Sequence, residues 1–298
     1  MKVHVAFEGF ENELRTELGS TLKREEGRLF FAEGLTLGDP AWAQTTWLDA
    51  EEVEIQSIGD AAKKLRALQP FWAHLSLNHH RRAKLIEEKL PRLKKVEAEF
   101  LAPPPQKSIG GWTLLEPNRL LYGTRTTSPY PNGEVIFEGD KRAPSRAYLK
   151  LWELFTAYGV RPHEGDKCVD FGACPGGWTW VLAQLGCHVT AIDRSPLDPA
   201  VANLKNVTTV LRNAFTLKPD DVGPIDWFFS DIICFPKDLY ELVEAWRRSG
   251  LCRNFVCSIK FKGETDHETV RKFAAIPGSR LKHLYNNKHE MTWWLVAD

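Results

Sequence analysis

The chain has 298 residues, of which 43% are hydrophobic and 26% charged, with 39 basic side chains against 39 acidic ones. This balance is typical of a globular protein of two modest domains, and it excludes disordered and collagen-like classes. A net charge of zero argues against a surface coated in positive charge, but it permits a local basic face.

The first residues and the cysteines bear on location and metal binding. The opening M-K-V-H-V-A-F-E-G-F has a histidine and a glutamate where a signal peptide has an unbroken apolar core. No apolar run approaches the roughly 18 residues of a membrane span. The six cysteines form no C-x-x-C pair, which indicates neither a zinc site nor a disulfide framework. We therefore expect a cytoplasmic protein with no metal and no membrane partner.

The N-terminal half is expected to form a small α+β domain. K-V-H-V-A-F is typical of a strand and E-N-E-L-R-T-E-L of a helix, and G-R-L-F-F-A-E-G and E-V-E-I-Q-S-I alternate as strands do. A proline run, A-P-P-P-Q at 102–106, follows. Residues 112–137 then look extended with turns at P-N and P-N-G, and we interpret them as a strand-rich connector.

A basic segment lies between Ser76 and Val96, on a predicted pair of helices broken at Pro91. It contains His79 and His80, two glutamates and seven basic residues: Arg81, Arg82, Lys84, Lys89, Arg92, Lys94 and Lys95. Such a cluster is either an RNA-binding face or a solvated helix face, and the sequence leaves both interpretations open.

From about Asp140 the pattern changes to alternating helices and strands. Helices are predicted over 144–158, 177–185, 237–249 and 266–275, and strands over 167–171, 188–193, 207–211, 226–231, 253–260, 280–286 and 290–297. This alternation predicts a doubly wound α/β sheet. Its last two strands have only N-N-K-H between them, so they must be antiparallel, because a parallel pair needs a much longer crossover.

The stretch D-F-G-A-C-P-G-G-W-T-W, from Asp170 to Trp180, places three glycines between a predicted strand and a predicted helix. Ligands bind at such turns, because a helix start offers unpaired N–H groups and glycine allows close approach to the main chain. The loop lacks the lysine and Ser/Thr of a P-loop and departs from G-x-G-x-x-G, so a nucleotide-like cofactor other than ATP or NAD is favoured over a plain tight turn.

Two side chains beyond the loop are candidates for holding such a cofactor. Asp193 ends the next predicted strand, where an acid can accept both ribose hydroxyls. Asn213 follows the third strand, where an amide can pair with an adenine edge. The alternative for Asp193 is a plain helix cap.

The motifs together resemble the FtsJ-type class I methyltransferases. D-F-G-A-C-P-G-G-W-T is accompanied by A-P-S-R-A-Y-L-K-L-W-E upstream and by S-D-I, S-I-K and H-E-M-T-W downstream. The similarity covers about Thr127 to the C-terminus, and it is nearest to members that act on a cytidine ribose of large-subunit ribosomal RNA. It implies a Rossmann-like, mostly parallel sheet with a C-terminal antiparallel hairpin, S-adenosylmethionine as cofactor, and methylation of ribose 2′-hydroxyls of RNA.

The same resemblance implies the site residues. Its catalytic Lys-Asp-Lys-Glu tetrad falls on Lys150, Asp231, Lys260 and Glu290. The cofactor contacts fall on Asp170, Gly172, Ala173, Cys174, Pro175, Gly176, Gly177, Trp178, Asp193, Asn213 and Asp231. The family more often has Asp where Asn213 stands.

Lys260 is the candidate base for the ribose proton. A lysine titrates near 10.4 in isolation, so a lysine that acts as a base at neutral pH needs a strongly lowered pKa. In a milder alternative both lysines stay charged and hold the ribose oxygen, and the proton departs late. The sequence leaves this choice open.

RNA is the implied partner. Arg146, Pro129 and Tyr130 are candidates to touch the RNA backbone or stack a base, although S-P-Y-P-N-G is equally typical of a turn. Lys262 is a candidate phosphate ligand, with an exposed loop lysine as the alternative. Trp178 and Trp180 are expected in the core.

The family also carries a ferredoxin-like piece and an RNA-binding THUMP domain, and G-F-E-N-E-L resembles their start. We therefore divide the chain into residues 1–138, a reduced THUMP-like RNA-binding domain with its connector, and residues 139–298, the methyltransferase domain. The alternatives to ribosomal RNA are another RNA, such as transfer RNA, or a non-catalytic RNA-binding factor that retains the fold.

Overall fold

A computed structural model describes residues 1–33, 39–93 and 97–297. The chain forms two compact units. The N-terminal unit comprises Met1–Ala98 and Ala102–Ile136, and the C-terminal unit comprises Glu99–Leu101 and Phe137–Asp298. Among the described residues, no helix combines the length and the apolarity needed to cross a membrane.

The N-terminal unit is an α+β structure built on two four-stranded sheets. Its described strands are β1 (Lys2–Ala6), β2 (Leu22–Glu26), β3 (Leu29–Ala32), β4 (Ala43–Trp47), β5 (Glu51–Glu54), β6 (Trp72–His74), β7 (Gly110–Glu116) and β8 (Arg119–Gly123). Its described helices are α1 (Glu11–Leu18), α2 (Ile58–Leu68) and α3 (His80–Glu87). The first sheet has the order β2-β3-β1-β4 and the second β5-β8-β7-β6.

Both sheets contribute to the buried core of this unit. Val3, Trp47 and Leu121, from β1, β4 and β8, belong to one buried cluster. A second cluster packs α2 and α3 on the other sheet through Leu65, Ile86 and the large apolar residues of β7 and β8. The charged faces of α2 and α3 are left toward solvent.

The structure differs from the sequence analysis at two places in this unit. The segment interpreted as a connector contains β7 and β8, which form the central hairpin of the second sheet, with the turn at Pro117 and Asn118. Only one helix, α3, is present in the described part of the basic segment, and residues 88–93 contain none. Lys94 and Lys95 lie outside the described residues.

The C-terminal unit is built on a single seven-stranded sheet. Its described strands are β9 (Lys167–Phe171), β10 (His188–Asp193), β11 (Val207–Leu211), β12 (Trp227–Ser230), β13 (Asn254–Lys260), β14 (Ser279–Lys282) and β15 (Glu290–Leu295). Its described helices are α4 (Tyr148–Ala157), α5 (Gly177–Gln184), α6 (Pro199–Ala202), α7 (Pro219–Val222), α8 (Pro236–Ser249) and α9 (His267–Ala274).

The strand order is β11-β10-β9-β12-β13-β15-β14, and the first five strands are parallel. β15 is antiparallel to both of its neighbours, which confirms the predicted C-terminal hairpin. The chain winds outward from β9 in both directions, so the carboxyl ends of β9 and β12 form the switch point at which such sheets bind ligands. This is the class I methyltransferase arrangement, and the predicted fold class is confirmed.

Two predicted elements of this unit are too long. The helix predicted from 144 begins at Tyr148, because residues 143–147 form bends and turns. The strand predicted over 280–286 ends at Lys282, because the backbone N–H groups of Tyr285 and Asn286 donate to the Glu153 carboxylate instead of to a neighbouring strand.

Candidate functional site

A cavity of about 600 Å³ lies at the switch point, at the carboxyl ends of β9, β10 and β12. This volume is in the range of small-molecule sites, roughly 300–1,000 Å³. Ten of the residues that the sequence proposes as cofactor contacts line it: Asp170, Gly172, Ala173, Cys174, Pro175, Gly177, Trp178, Asp193, Asn213 and Asp231. Gly176 is not among the lining residues and is the N-cap of α5.

The glycine loop takes backbone conformations that other residues rarely adopt. Gly172 has φ +76°, and a Cβ built on it would lie 2.6 Å from Ile232 Cγ1 and 2.8 Å from Ile232 Cα. Gly176 has φ +116° and would meet the side chain of Val201 at 3.1 Å. Glycine at 172 is therefore required for the close approach of β9's loop to the segment after β12, which shapes the cavity.

Trp178 and Trp180 are buried, as predicted, at 2% and 7% exposure. The Trp178 indole donates to the carbonyl of Ala147 at 3.0 Å, so it ties α5 to the residue before α4. Trp178 thus belongs to the core while one part of it lines the cavity.

Asp170 lines the cavity and carries a buried polar atom that has no hydrogen-bond partner among the described residues. Its Oδ2 accepts from the Thr179 hydroxyl at 2.7 Å, whereas its buried Oδ1 has no hydrogen-bond partner among the described residues. Burial raises the pKa of Asp170 to about 7, assisted by the nearby charge of Asp231 and opposed by the Thr179 hydrogen bond. A ligand with a polar or cationic group would satisfy this oxygen.

Asp193 and Asn213 both stabilise their own loops. The Asp193 carboxylate accepts from the backbone of Cys174 at 3.1 Å and of Ser195 at 2.9 Å. The Asn213 carbonyl oxygen accepts from the backbone of Phe215 at 3.2 Å. Asp193 therefore caps no helix among the described residues, contrary to the alternative considered for it, whereas Asn213 is the N-cap of the short turn at 214–216. Both side chains line the cavity, and an oxygen that accepts one hydrogen bond can accept a second.

The four residues of the predicted tetrad lie together at the carboxyl edge of the sheet. Lys150, on α4, places its Nζ 2.6 Å from Asp231 Oδ1 and 3.2 Å from Glu290 Oε1. Lys260 Nζ, at the end of β13, is 3.1 Å from the same Asp231 oxygen and donates to the Asp231 carbonyl. Asp231 thus bridges two lysines beside the cavity that it and Lys260 line.

Charges within this cluster are strongly coupled. Burial alone would lower the pKa of Lys150, but the carboxylates of Asp231 and Glu290 outweigh it and raise the pKa above its ordinary value. Burial alone would raise the pKa of Asp231, but Lys150 and Lys260 hold it below the ordinary range. Lys150 is therefore an ammonium and Asp231 a carboxylate at neutral pH.

Sequence reasoning missed several residues of the site. Ser258 is fully buried on β13, and its Oγ accepts from Lys150 Nζ at 3.4 Å. It stands two positions before Lys260, and residues i and i+2 of a strand share a face, so the alternation of β13 could have identified it. Ser145 and Ile232 also line the cavity, in segments that carry no regular pattern.

The predicted RNA contacts are distributed over both units. Arg146 is exposed just before α4, and Lys262 lies with its Nζ 5.1 Å from the Phe235 ring centroid. Arg81 and Lys84 are exposed on α3 in the N-terminal unit, and Arg82 is half-buried there. Tyr130 is only 3% exposed, so its proposed role in base stacking is wrong; it packs in the N-terminal unit at the turn of 131–133.

Comparison with models of known protein families finds one family to which part of this chain is similar. Residues 143–276 match the model of the FtsJ-like methyltransferases. The matched range contains Lys150, the glycine loop, Asp231 and Lys260, while Glu290 lies beyond it.

Comparison with individual known proteins finds relatives that are also named as methyltransferases. The chain is 34% identical over 185 residues to the Ribosomal RNA large subunit methyltransferase M of Azoarcus sp. (strain BH72), covering 57% of this chain and 50% of that protein. It is 29% identical over 255 residues to the protein of the same name from Xanthomonas axonopodis pv. citri (strain 306), covering 80% of this chain and 70% of that one. The chain thus spans about half the length of the first of these relatives.

Among solved structures, a putative hemolysin from Lactococcus lactis is similar with a TM-score of 0.43 and 18% identity, over 52% of this chain and 89% of that one. The family match, in contrast, falls on the unit that carries the cavity and the lysine–carboxylate cluster. Residues 143–276 of the C-terminal unit are thus similar to the FtsJ-like methyltransferases, a family that depends on S-adenosylmethionine.

Proposed function

We propose that this protein transfers a methyl group from S-adenosylmethionine to the 2′-oxygen of a ribose in large-subunit ribosomal RNA. The observation that carries the proposal is the cluster of Lys150, Asp231, Lys260 and Glu290 at the edge of the cavity, with separations of 2.6–3.2 Å between their charged groups. An arrangement of two lysines around one carboxylate suits an oxygen nucleophile that must be held and deprotonated.

The cavity fits the cofactor on several observations. The unpartnered Asp170 Oδ1 suits its ammonium group, Asp193 suits its ribose hydroxyls, and Asn213 suits its adenine. When bound, S-adenosylmethionine supplies an electrophilic methyl on a sulfonium, so that the new C–O bond forms as the C–S bond breaks and the ribose proton departs.

We favour the milder of the two mechanisms, because the Lys260 Nζ donates to the Asp231 carbonyl and lies 3.1 Å from the Asp231 carboxylate, an environment that suits an ammonium. Lys150 is held as an ammonium by Asp231 and Glu290, so it positions Asp231 and takes no proton. Asp231 in turn fixes the Lys260 Nζ at 3.1 Å. Lys260 then holds the ribose oxygen by hydrogen bonding, and the proton leaves to water late in the reaction.

Ribosomal RNA is proposed from the names of the relatives, which are large-subunit ribosomal RNA methyltransferases. We further propose that the N-terminal unit docks the RNA as a reduced THUMP-like module. The exposed Arg81 and Lys84 on α3 support this role, because Lys and Arg on one helix face attract phosphate groups.

The experiment is a map of 2′-O-methyl sites in total RNA from cells with and without the protein, together with methyl transfer by the purified protein to separated RNAs. We expect one mark to disappear from large-subunit ribosomal RNA and to be restored in vitro. A mark lost from transfer RNA would change the substrate while keeping the chemistry. Failure to consume cofactor with any RNA would reject the enzyme in favour of a binding factor.

A further inference from the structure

We propose that a second pocket, beside the cofactor cavity, holds the base of the nucleotide next to the methylated one by stacking it on Phe235. This inference rests on the proposed function and assigns a substrate contact that the tetrad does not provide.

The segment after β12 exposes apolar side chains that a folded protein normally buries. Ile233 is 74% exposed and Phe235 is 60% exposed, within five residues of Asp231. Exposed apolar side chains that lie close together, next to the proposed catalytic cluster, indicate a binding surface more strongly than a single exposed leucine does. Phe235 also lines a cavity of about 370 Å³, together with Pro236, Phe261 and Lys262.

Lys262, one of the pocket's two lysines, lies beside the Phe235 ring. Its Nζ lies 5.1 Å from the centroid of the Phe235 ring, within the distance of a cation–π contact. The ammonium on a flexible stem can therefore reach both the ring and the phosphate of a nucleotide whose base stacks there. Aromatic rings paired with a cation are what proteins use to hold single-stranded nucleotides.

The other charges of the pocket favour a base over a run of phosphates. Its lining contains Lys237 and Lys262, but also Asp238, Glu264 and Asp266. Asp266 is used as the N-cap of α9, where it accepts from Thr269 at 2.9 Å. Three acids would repel consecutive phosphates, whereas a neutral planar base needs only the ring face and tolerates the acids at the rim.

The chain that joins the two cavities is short. Lys260 lines the cofactor cavity and Lys262 the second pocket, and two residues of extended chain span at most about 7 Å. The segment from Asp231 to Phe235 runs between the same two cavities. A ribose held at Lys260 would therefore place its neighbour's base at Phe235.

The test compares Phe235→Ala with Phe235→Trp in the full chain. Binding of a fluorescein-labelled oligoadenylate of about ten nucleotides is followed by anisotropy at low salt, and cofactor binding by calorimetry. We expect Phe235→Ala to weaken oligonucleotide binding about 5- to 100-fold and Phe235→Trp to keep it, with cofactor affinity unchanged in both. Leu211→Ala, at a side chain that is 65% exposed on β11, is the matched control and should bind as the wild type does.

Equal binding by the wild type and Phe235→Ala would overturn the proposal, and it is the result expected if the patch serves a protein partner. Equal weakening by Ala and Trp would also overturn it, because a stacking role tolerates the larger ring. The outcome is separable from the proposed function. If the wild type transfers no methyl group but binding still requires an aromatic ring at 235, the proposed pocket is supported and the proposed reaction is rejected. If transfer occurs and Phe235→Ala changes neither binding nor the KM for RNA, only the proposed pocket is rejected.

Discussion

The two units differ in where they keep their charged side chains. Among the described residues, every buried lysine, aspartate and glutamate belongs to the C-terminal unit: Lys150, Glu153, Asp170, Lys282 and Glu290. The buried polar residues in the described part of the N-terminal unit are a histidine, a glutamine and three threonines: His4, Gln44, Thr45, Thr46 and Thr113. The charged groups of the N-terminal unit that we propose as RNA contacts, Arg81 and Lys84, lie at its surface.

This difference indicates that the charged groups of the two units have different functions. Removing an ion from water costs several kcal/mol unless other charges and hydrogen bonds compensate it, so buried ions are retained where a function needs them. Surface charges cost little and act on a partner through long-range attraction that salt screens. We therefore expect changes in the C-terminal unit to alter chemistry and stability, and changes on α3 to alter only docking.

The largest effect is expected from Lys260→Ala. The substitution removes the group that faces Asp231 at 3.1 Å and that we assign to the ribose oxygen. Loss of one such positioned hydrogen-bond donor lowers turnover by about 10²- to 10³-fold. The measurement is single-turnover methyl transfer to RNA, with folding checked by thermal unfolding and cofactor binding by calorimetry.

Lys272→Ala is its control, because that lysine is exposed and pairs with Glu268 on the surface of α9. Turnover near the wild-type rate in Lys260→Ala would contradict the proposed role of the tetrad. It would also contradict the expectation that the buried charges of the C-terminal unit serve the chemistry.

A smaller effect, on stability, is expected from Asp170→Asn. Burial raises the pKa of Asp170 from 3.8 to about 7, so the fold favours the neutral carboxyl. The resulting stabilisation is complete below about pH 4 and is lost as the pH rises through 7. Asparagine does not ionise, so the variant should gain on the wild type by an amount on the order of a few kcal/mol between pH 4 and 8 in urea unfolding.

His74 in the N-terminal unit is a control of opposite sign. Burial, with a smaller contribution from His80, lowers the pKa of His74 to about 4. Its stabilisation is present above the ordinary pKa of 6.5 and is lost as the pH falls through 4, so His74→Asn should gain on the wild type only toward acid. If the free energy of unfolding of both variants differed from that of the wild type by the same amount at every pH, burial would not perturb the pKa values of Asp170 and His74 in the way described.

The smallest effect is expected from the double variant Arg81→Ala with Lys84→Ala. Each exposed charge that contacts a phosphate contributes about one unit to the salt slope of binding, so affinity for ribosomal RNA should fall by a few-fold at low salt. Methyl transfer at saturating RNA should stay unchanged. The matched control replaces Lys63 and Arg66, a lysine and an arginine on the exposed face of α2. Equal losses in both double variants would show a non-specific charge effect instead of a docking face.

Much of the C-terminal sheet could be predicted from the sequence. The observed bounds of β9, β10 and β11 are those predicted, because their apolar runs are bounded by turn residues on both sides. The antiparallel end of the sheet was also predicted, from the short connection before Glu290. The strands of the N-terminal unit were harder to predict. β4 has the sequence A-Q-T-T-W and is buried along its whole length, but its polar threonines give it no hydrophobic pattern.

The sequence by itself determined the type of sheet and the glycine turn, because local spacing carries that information. The four charged residues were proposed from its resemblance to the FtsJ-type methyltransferases. Only the tertiary structure decided that Asp231 bridges both lysines, that the buried Ser258 accepts from Lys150, and that Glu153 holds the backbone of Tyr285. It also decided that Phe235 is exposed beside Lys262. The contacts within the tetrad join residues 29 to 140 positions apart, and such distances are closed only when the sheet assembles.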